Sequence, residues 1–203
     1  GVVEERLRRL DDEQHETVTI AAVEGVQFTA EVVADVQGLR AREAVRELSG
    51  ELAKEHQLVE PEGTQRLGNQ RLSRYAFRHH LFQRYVYDLL DDIERVYLHE
   101  DVGRALEVLY GDGVEAIAVQ LAHHFTTADV HEKARRYLSA SGERAAARYA
   151  NQEAIDYFSR ALAVTPEDDL EERYDLLLRR EQVLHLQGAR DPQRQDLIAL
   201  ERL

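Results

Sequence analysis

Cysteine, methionine and tryptophan are absent from this chain of 203 residues, and proline occurs only three times. Without cysteine there is no disulfide framework, no thiolate nucleophile and no thiolate metal ligand. That absence suits a cytoplasmic protein. Without methionine there is no initiator residue, so the sequence is expected to be an excised portion of a longer chain. Lysine is scarce too: Lys54 and Lys133 stand against 24 arginines, a bias that genome composition explains better than function. No apolar run approaches the roughly 18 residues of a membrane span. No signal peptide is visible, because Glu4, Glu5, Arg6, Arg8 and Arg9 crowd the first ten positions. What is present is 43% hydrophobic and 32% charged residues, the composition of a chain that folds around a core. Its length suits one large domain or two small ones.

The formal net charge is −13, which disfavours non-specific binding to phosphate backbones. The charge is uneven. Residues 1–60 carry 7 basic and 14 acidic residues, and residues 91–203 carry 14 and 23. Residues 61–90 reverse the balance, with 5 basic and 2 acidic. That basic island contains Arg74, Arg78, His79, His80 and Arg84, at a point where a β-like run (Tyr75, Ala76, Phe77) passes into an amphipathic helix (Leu81, Phe82, Tyr85, Leu89).

The first 90 residues read as three helices, a hairpin and a fourth helix. Asp11 and Gln14 form a capping-box signature, and Val18, Ala21 and Ala22 follow at helical spacing. Phe28-Thr29 opens a second helix that Gly38 ends. A third helix runs from about residue 41 to 56, with Ala44, Val45, Leu48 and Leu52 on one face. Leu58 to Glu60 and Leu72 to Phe77 read as paired strands. Pro61-Glu62-Gly63 and Gly68-Asn69 supply turn chemistry, so a loop of about ten residues joins the strands. This is the order of a winged helix, whose wing is that loop.

After Leu90 the pattern is helical throughout. A connecting helix over 91–113 is interrupted or bent near Gly103. Helices follow at about 114–126, 130–148, 151–164, 168–187 and 192–203. Thr165-Pro166 and Asp191-Pro192 each place a capping side chain before a proline at a helix start. Ala154, Phe158, Ala161 and Pro166 fit half of a tetratricopeptide repeat, and Gly142 falls where the two helices of such a repeat meet. The expected fold is mainly α: a winged-helix domain over 1–90, the connecting helix over 91–113, and an α-α solenoid of tetratricopeptide-like repeats over 114–203.

Catalytic patterns are missing. Neither lysine follows a glycine, so there is no P-loop. There is no nucleophile elbow and no H-E-x-x-H pair. His123-His124 are adjacent and so diverge by about 100° on a helix, unlike chelating residues at i and i+4. The acidic run from Glu167 to Glu172 lacks the alternating spacing of a calcium loop. No enzymatic activity, metal or cofactor is expected of this portion alone.

The quoted parts resemble one bacterial group. AAVEG-x2-F-x3-VVADVQGL, LSGELAKEHQLV, RYAFRHHLFQRYVYDLL, AVQLAHHF and ERAAARYANQEAIDYFSRAL are similar, in order, to segments of STAND-type signalling ATPases. These include the maltose-regulon-type activators and the ATPase segments joined to cyclase or kinase domains. The resemblance implies a P-loop nucleotide-binding domain upstream in the same chain, which binds ADP or ATP. It implies that the winged helix serves as a hinge that senses nucleotide state, and that the repeats sense a protein or small-molecule signal. In the bacterial pattern F-R-H-x-L, matched here by Phe77-Arg78-His79-His80-Leu81, the histidine faces the ADP β-phosphate. His79 is thus the expected ADP contact, with Arg78 raising the local positive potential, and both act only with that nucleotide domain present. His80 stands where many relatives have Ala or Asp. The alternative is a DNA-binding winged-helix regulator. Its third helix would set Arg42, Arg46 and Lys54 against Glu43, Glu47, Glu51 and Glu55, a poor surface for phosphates, although Arg66, Arg71 and Arg74 make the hairpin basic.

Overall fold

A computed structural model describes residues 2–68 and 70–203. The chain is mainly helical with one small antiparallel sheet, and it divides into two compact units, residues 1–111 and 112–203.

The first unit begins with α1 (Val2–Leu7) and α2 (Asp12–Glu24). The expected capping box forms: the Asp11 carboxylate accepts the Gln14 N–H at 2.9 Å, and Gln14 Oε1 accepts the Asp11 N–H at 3.2 Å. Phe28 and Thr29 lie in a short strand, β1 (Gln27–Thr29), rather than at the head of a helix. Thr29 is extended, with φ −124° and ψ 124°, and α3 (Ala30–Gln37) begins after it. Pairing of Phe28 with Tyr75 holds this strand, a contact between distant segments that local spacing does not announce. Gly38 closes α3 in the left-handed conformation at φ 71°, which a side chain would strain.

Helix α4 (Ala41–Glu47) runs on into a wider π-helical segment, Leu48–Glu55. Leu48 and Leu52 on its inner face are fully buried. Strands β2 (Val59–Leu67) and β3 (Gln70–Phe77) then pair antiparallel, and the sheet order is β1-β3-β2. The expected ten-residue loop is therefore replaced by strand. Leu67 pairs with Gln70, leaving a tight turn that includes Gly68 at φ 56°; Asn69 lies outside the described residues. Pro61-Glu62-Gly63 makes a β-bulge instead of a turn. An edge strand tolerates the missing N–H of proline, and Gly63 takes φ 114° at no steric cost.

Helices α5 (His80–Leu89) and α6 (Asp92–Tyr110) complete the unit. Asp91 caps α6 through a second box with Glu94. The helix runs unbroken through the buried Gly103, where a bend was expected, and it packs on α2 and α3. Residues 92–110 thus belong to the first unit rather than forming a separate connector. Phe28 is the centre of the core, its ring 6.0 Å from Tyr75 and 5.4 Å from Phe77.

The second unit follows a 3₁₀ segment at Gly111–Ile117. It comprises α7 (Ala118–Thr127), α8 (His131–Ala147), α9 (Asn151–Val164), α10 (Leu170–Gln187) and α11 (Arg190–Leu200), each packed on the next. Ala154, Phe158 and Ala161 of α9 are buried against α8, with Leu138 and Ala145 buried on α8 itself. A Cβ added to Gly142 would sit 2.7 Å from Phe158 Cε1, so this glycine is required by close packing. Two expected helix starts move. Thr165 ends α9, its hydroxyl donating to the Ala161 carbonyl at 2.7 Å, and Asp169 caps α10. Ala189, not Asp191, precedes α11, and Pro192 lies within the first turn, where no backbone N–H is needed.

Candidate functional site at the β3–α5 junction

The side chains of β3 explain why the junction is fixed. Tyr75 and Phe77 are buried, and the Tyr75 hydroxyl lies 2.6 Å from Ser49 Oγ. The Phe77 N–H donates to the Val26 carbonyl at 2.9 Å, and the Arg78 N–H donates to the Leu58 carbonyl at 3.0 Å. Beyond the junction, Phe82 and Val86 bury one face of α5. Gln83 Nε2 donates to the Ala22 carbonyl at 2.8 Å, and the Arg6 guanidinium stands 5.6 Å from the Phe82 ring centre. Backbone and helix are therefore tied on both sides of positions 78 and 79.

His79 sits at the helix cap with φ −138° and ψ 133°, its side chain making no capping bond. It is exposed, with its ring 6.1 Å from that of Phe82. The first turn of α5 holds no acidic residue. Nothing in this turn therefore opposes an approaching anion, and the helix dipole favours one. His80 is exposed beside it. Arg78 is adjacent in the chain but turns elsewhere: Nε reaches the Val59 carbonyl and Nη2 the Ala53 carbonyl, each at 3.4 Å. These contacts are longer than the usual 2.7–3.2 Å. Arg74, counted with the same basic island, points inward and donates to Thr29 Oγ1 at 3.0 Å.

A residue that the spacing arguments passed over lies behind Arg74. Glu24 is fully enclosed; its carboxylate accepts the Thr29 N–H at 3.0 Å and the Thr29 hydroxyl at 2.9 Å. Burial pushes its pKa up to about 7, against the opposing pull of those bonds and of Arg74. The sequence does carry a signal for it, since an acid follows Val18, Ala21 and Ala22 at helical spacing before Gly25.

Several carboxylates of α4 and its π-helical extension gather beside α2. The Arg40 guanidinium is bonded to Glu43, Glu47 accepts from Thr17 at 3.2 Å, and Gln14 donates to Glu51. With Asp11 and Glu13 these carboxylates line a groove of about 340 Å³ in which Arg46 is the only cation among the described residues. Burial raises the Glu47 pKa. In the second unit, His124 is buried and His123 exposed, their rings 5.7 Å apart. No helix of the described residues is long and apolar enough to cross a membrane. Compared with protein-family models, curated proteins and solved structures, the chain matches none.

Proposed function

We propose that this chain is a non-catalytic regulatory and scaffold segment of a STAND-type signalling ATPase, working in the cytoplasm. The first unit is a winged helix that serves as a hinge, and the second is a tetratricopeptide-like solenoid that senses a protein or small-molecule signal. The single observation that carries this is the placement of His79. An exposed imidazole with no capping role stands at a strand-to-helix junction whose backbone its neighbours hold on both sides. Such a group is preorganised for a contact outside its own unit. The reading assigns that contact to the β-phosphate of ADP in an upstream nucleotide-binding domain of the same chain, with Arg78 released from its long carbonyl contacts to assist.

The order helix, strand, helix, helix, hairpin supports the winged-helix reading, and the closeness of Gly142 to Phe158 supports the helix-pair repeat. The carboxylates along α4 weigh against the DNA-binding alternative, because that helix would have to enter the major groove. The test is nucleotide content. Protein purified with its nucleotide domain retains ADP, and His79→Ala is expected to lose it and raise basal signalling. Unchanged occupancy removes the latch role.

A further inference from the structure

The second unit is acidic, yet one small hollow in it is walled by cations. Three elements form it: the segment leading into α7, one stripe of α8, and α9. On α8, Ser141, Arg144 and Arg148 fall three and four residues apart, so they share a face. Tyr157 of α9 closes the opposite side, and Ala116 and Ala118 leave the room. None of the described residues lining the hollow is acidic.

The donor inventory is one-sided. A guanidinium carries five N–H donors and no acceptor. Arg144 gives one to the Glu115 backbone carbonyl, and Arg148 gives one to the Glu153 carboxylate. Those bonds leave most of their donors unused. The Tyr157 hydroxyl has no partner among the described residues, whereas Ser141 gives its proton to the Tyr137 carbonyl at 2.7 Å. A pocket lined by two guanidinium groups and a hydroxyl, with no lining carboxylate, favours an anion. Its volume is about 90 Å³, close to the share of three water molecules in the liquid, about 30 Å³ each. That is room for one tetrahedral oxyanion.

We propose that this pocket binds a single phosphate group, held by the Arg144 and Arg148 guanidinium groups and the Tyr157 hydroxyl. Paired guanidinium groups match phosphate oxygens in both charge and geometry. Glu153 draws on Arg148 from outside the pocket and weakens the site. The site is independent of the ADP contact assigned to His79.

The test titrates inorganic phosphate into the ¹⁵N-arginine-labelled protein at constant ionic strength and follows the arginine Nε–H resonances. Saturable shifts confined to Arg144 and Arg148 are expected. Arg144→Gln and Arg148→Gln should each weaken binding about ten-fold, the loss of one charge-assisted hydrogen bond, while Glu153→Gln should tighten it and Arg104→Gln leave it unchanged. O-phosphoserine serves as a second probe. Saturation by it as well assigns the site to a phosphomonoester, and saturation by inorganic phosphate alone assigns it to the free ion. Shifts that never saturate, affinity unaltered in Arg144→Gln, or equal binding of acetate would each overturn the proposal.

Discussion

Replacing Gly142 by alanine sets two effects of known sign against each other. Glycine in a helix interior is less favourable than alanine by about 0.8–1.0 kcal/mol, so α8 considered alone should be stabilised. The added Cβ would lie 2.7, 2.9 and 2.9 Å from three ring carbons of Phe158, where carbon atoms prefer about 3.5–4.0 Å. Phe158 is 2% exposed, so its ring cannot move aside into solvent. Overpacking of this kind costs about 1–3 kcal/mol. The expected net effect is a loss of about 1 kcal/mol. Phe158→Leu removes the clash, and in that background Gly142→Ala should stabilise by about 1 kcal/mol. The coupling between the two sites is then about 2 kcal/mol. Urea unfolding of the four proteins by far-UV circular dichroism measures it, and hydrogen exchange of the α8 and α9 amides localises it. A Gly142→Ala protein more stable than wild type, with coupling under about 0.5 kcal/mol, would refute the close approach of these helices.

Two further outcomes follow from the first unit. Glu24 has its pKa raised from 4.5 to about 7 by burial, so the folded state binds more protons than the unfolded state between those values. The contribution of Glu24 to stability is fully present below pH 4.5 and is lost, by roughly 3 kcal/mol, as pH rises through 7; Glu24→Gln should remove that component of the pH dependence, and an unchanged pH dependence would place the titration elsewhere. The carboxylates Glu43, Glu47, Glu51 and Glu55, set among Arg42, Arg46 and Lys54 along α4 and its extension, should leave the protein without specific duplex-DNA binding at physiological salt, as judged by fluorescence anisotropy. A nanomolar operator complex would restore the DNA-reading alternative.

What the sequence disclosed was what is local. Asp11 and Gln14 lie three residues apart and form their box whatever surrounds them. Gly38 is required by one backbone angle. Ala154, Phe158 and Ala161 share a helix face, and all three are buried. The features it concealed depend on partners far along the chain. Phe28 is a strand residue only because Tyr75 lies beside it. Pro61-Glu62-Gly63 has the composition of a turn and becomes a bulge because β3 offers a longer ladder. Asp191-Pro192 resembles a helix start, but the chain enters α11 two residues earlier, where the proline still lacks nothing. The candidate site divides the same way. His79 is singled out in the sequence only by the resemblance carried by Phe77-Arg78-His79-His80-Leu81, whereas the separation of Arg78 from it depends on the Val59 and Ala53 carbonyls. The Arg144 pocket draws on three elements and has no signature in any one of them.

The most direct test of the hinge is the rate at which ADP leaves the protein when the nucleotide-binding domain is joined to this chain. A hydrogen bond to a charged group is worth about 1.5–3 kcal/mol, so a latch made by His79 predicts ADP release about 10- to 100-fold faster in His79→Ala. His80→Ala, altering the exposed neighbour, should leave the rate near that of wild type. Equal release rates for wild type and His79→Ala would contradict the assignment of His79 to the nucleotide.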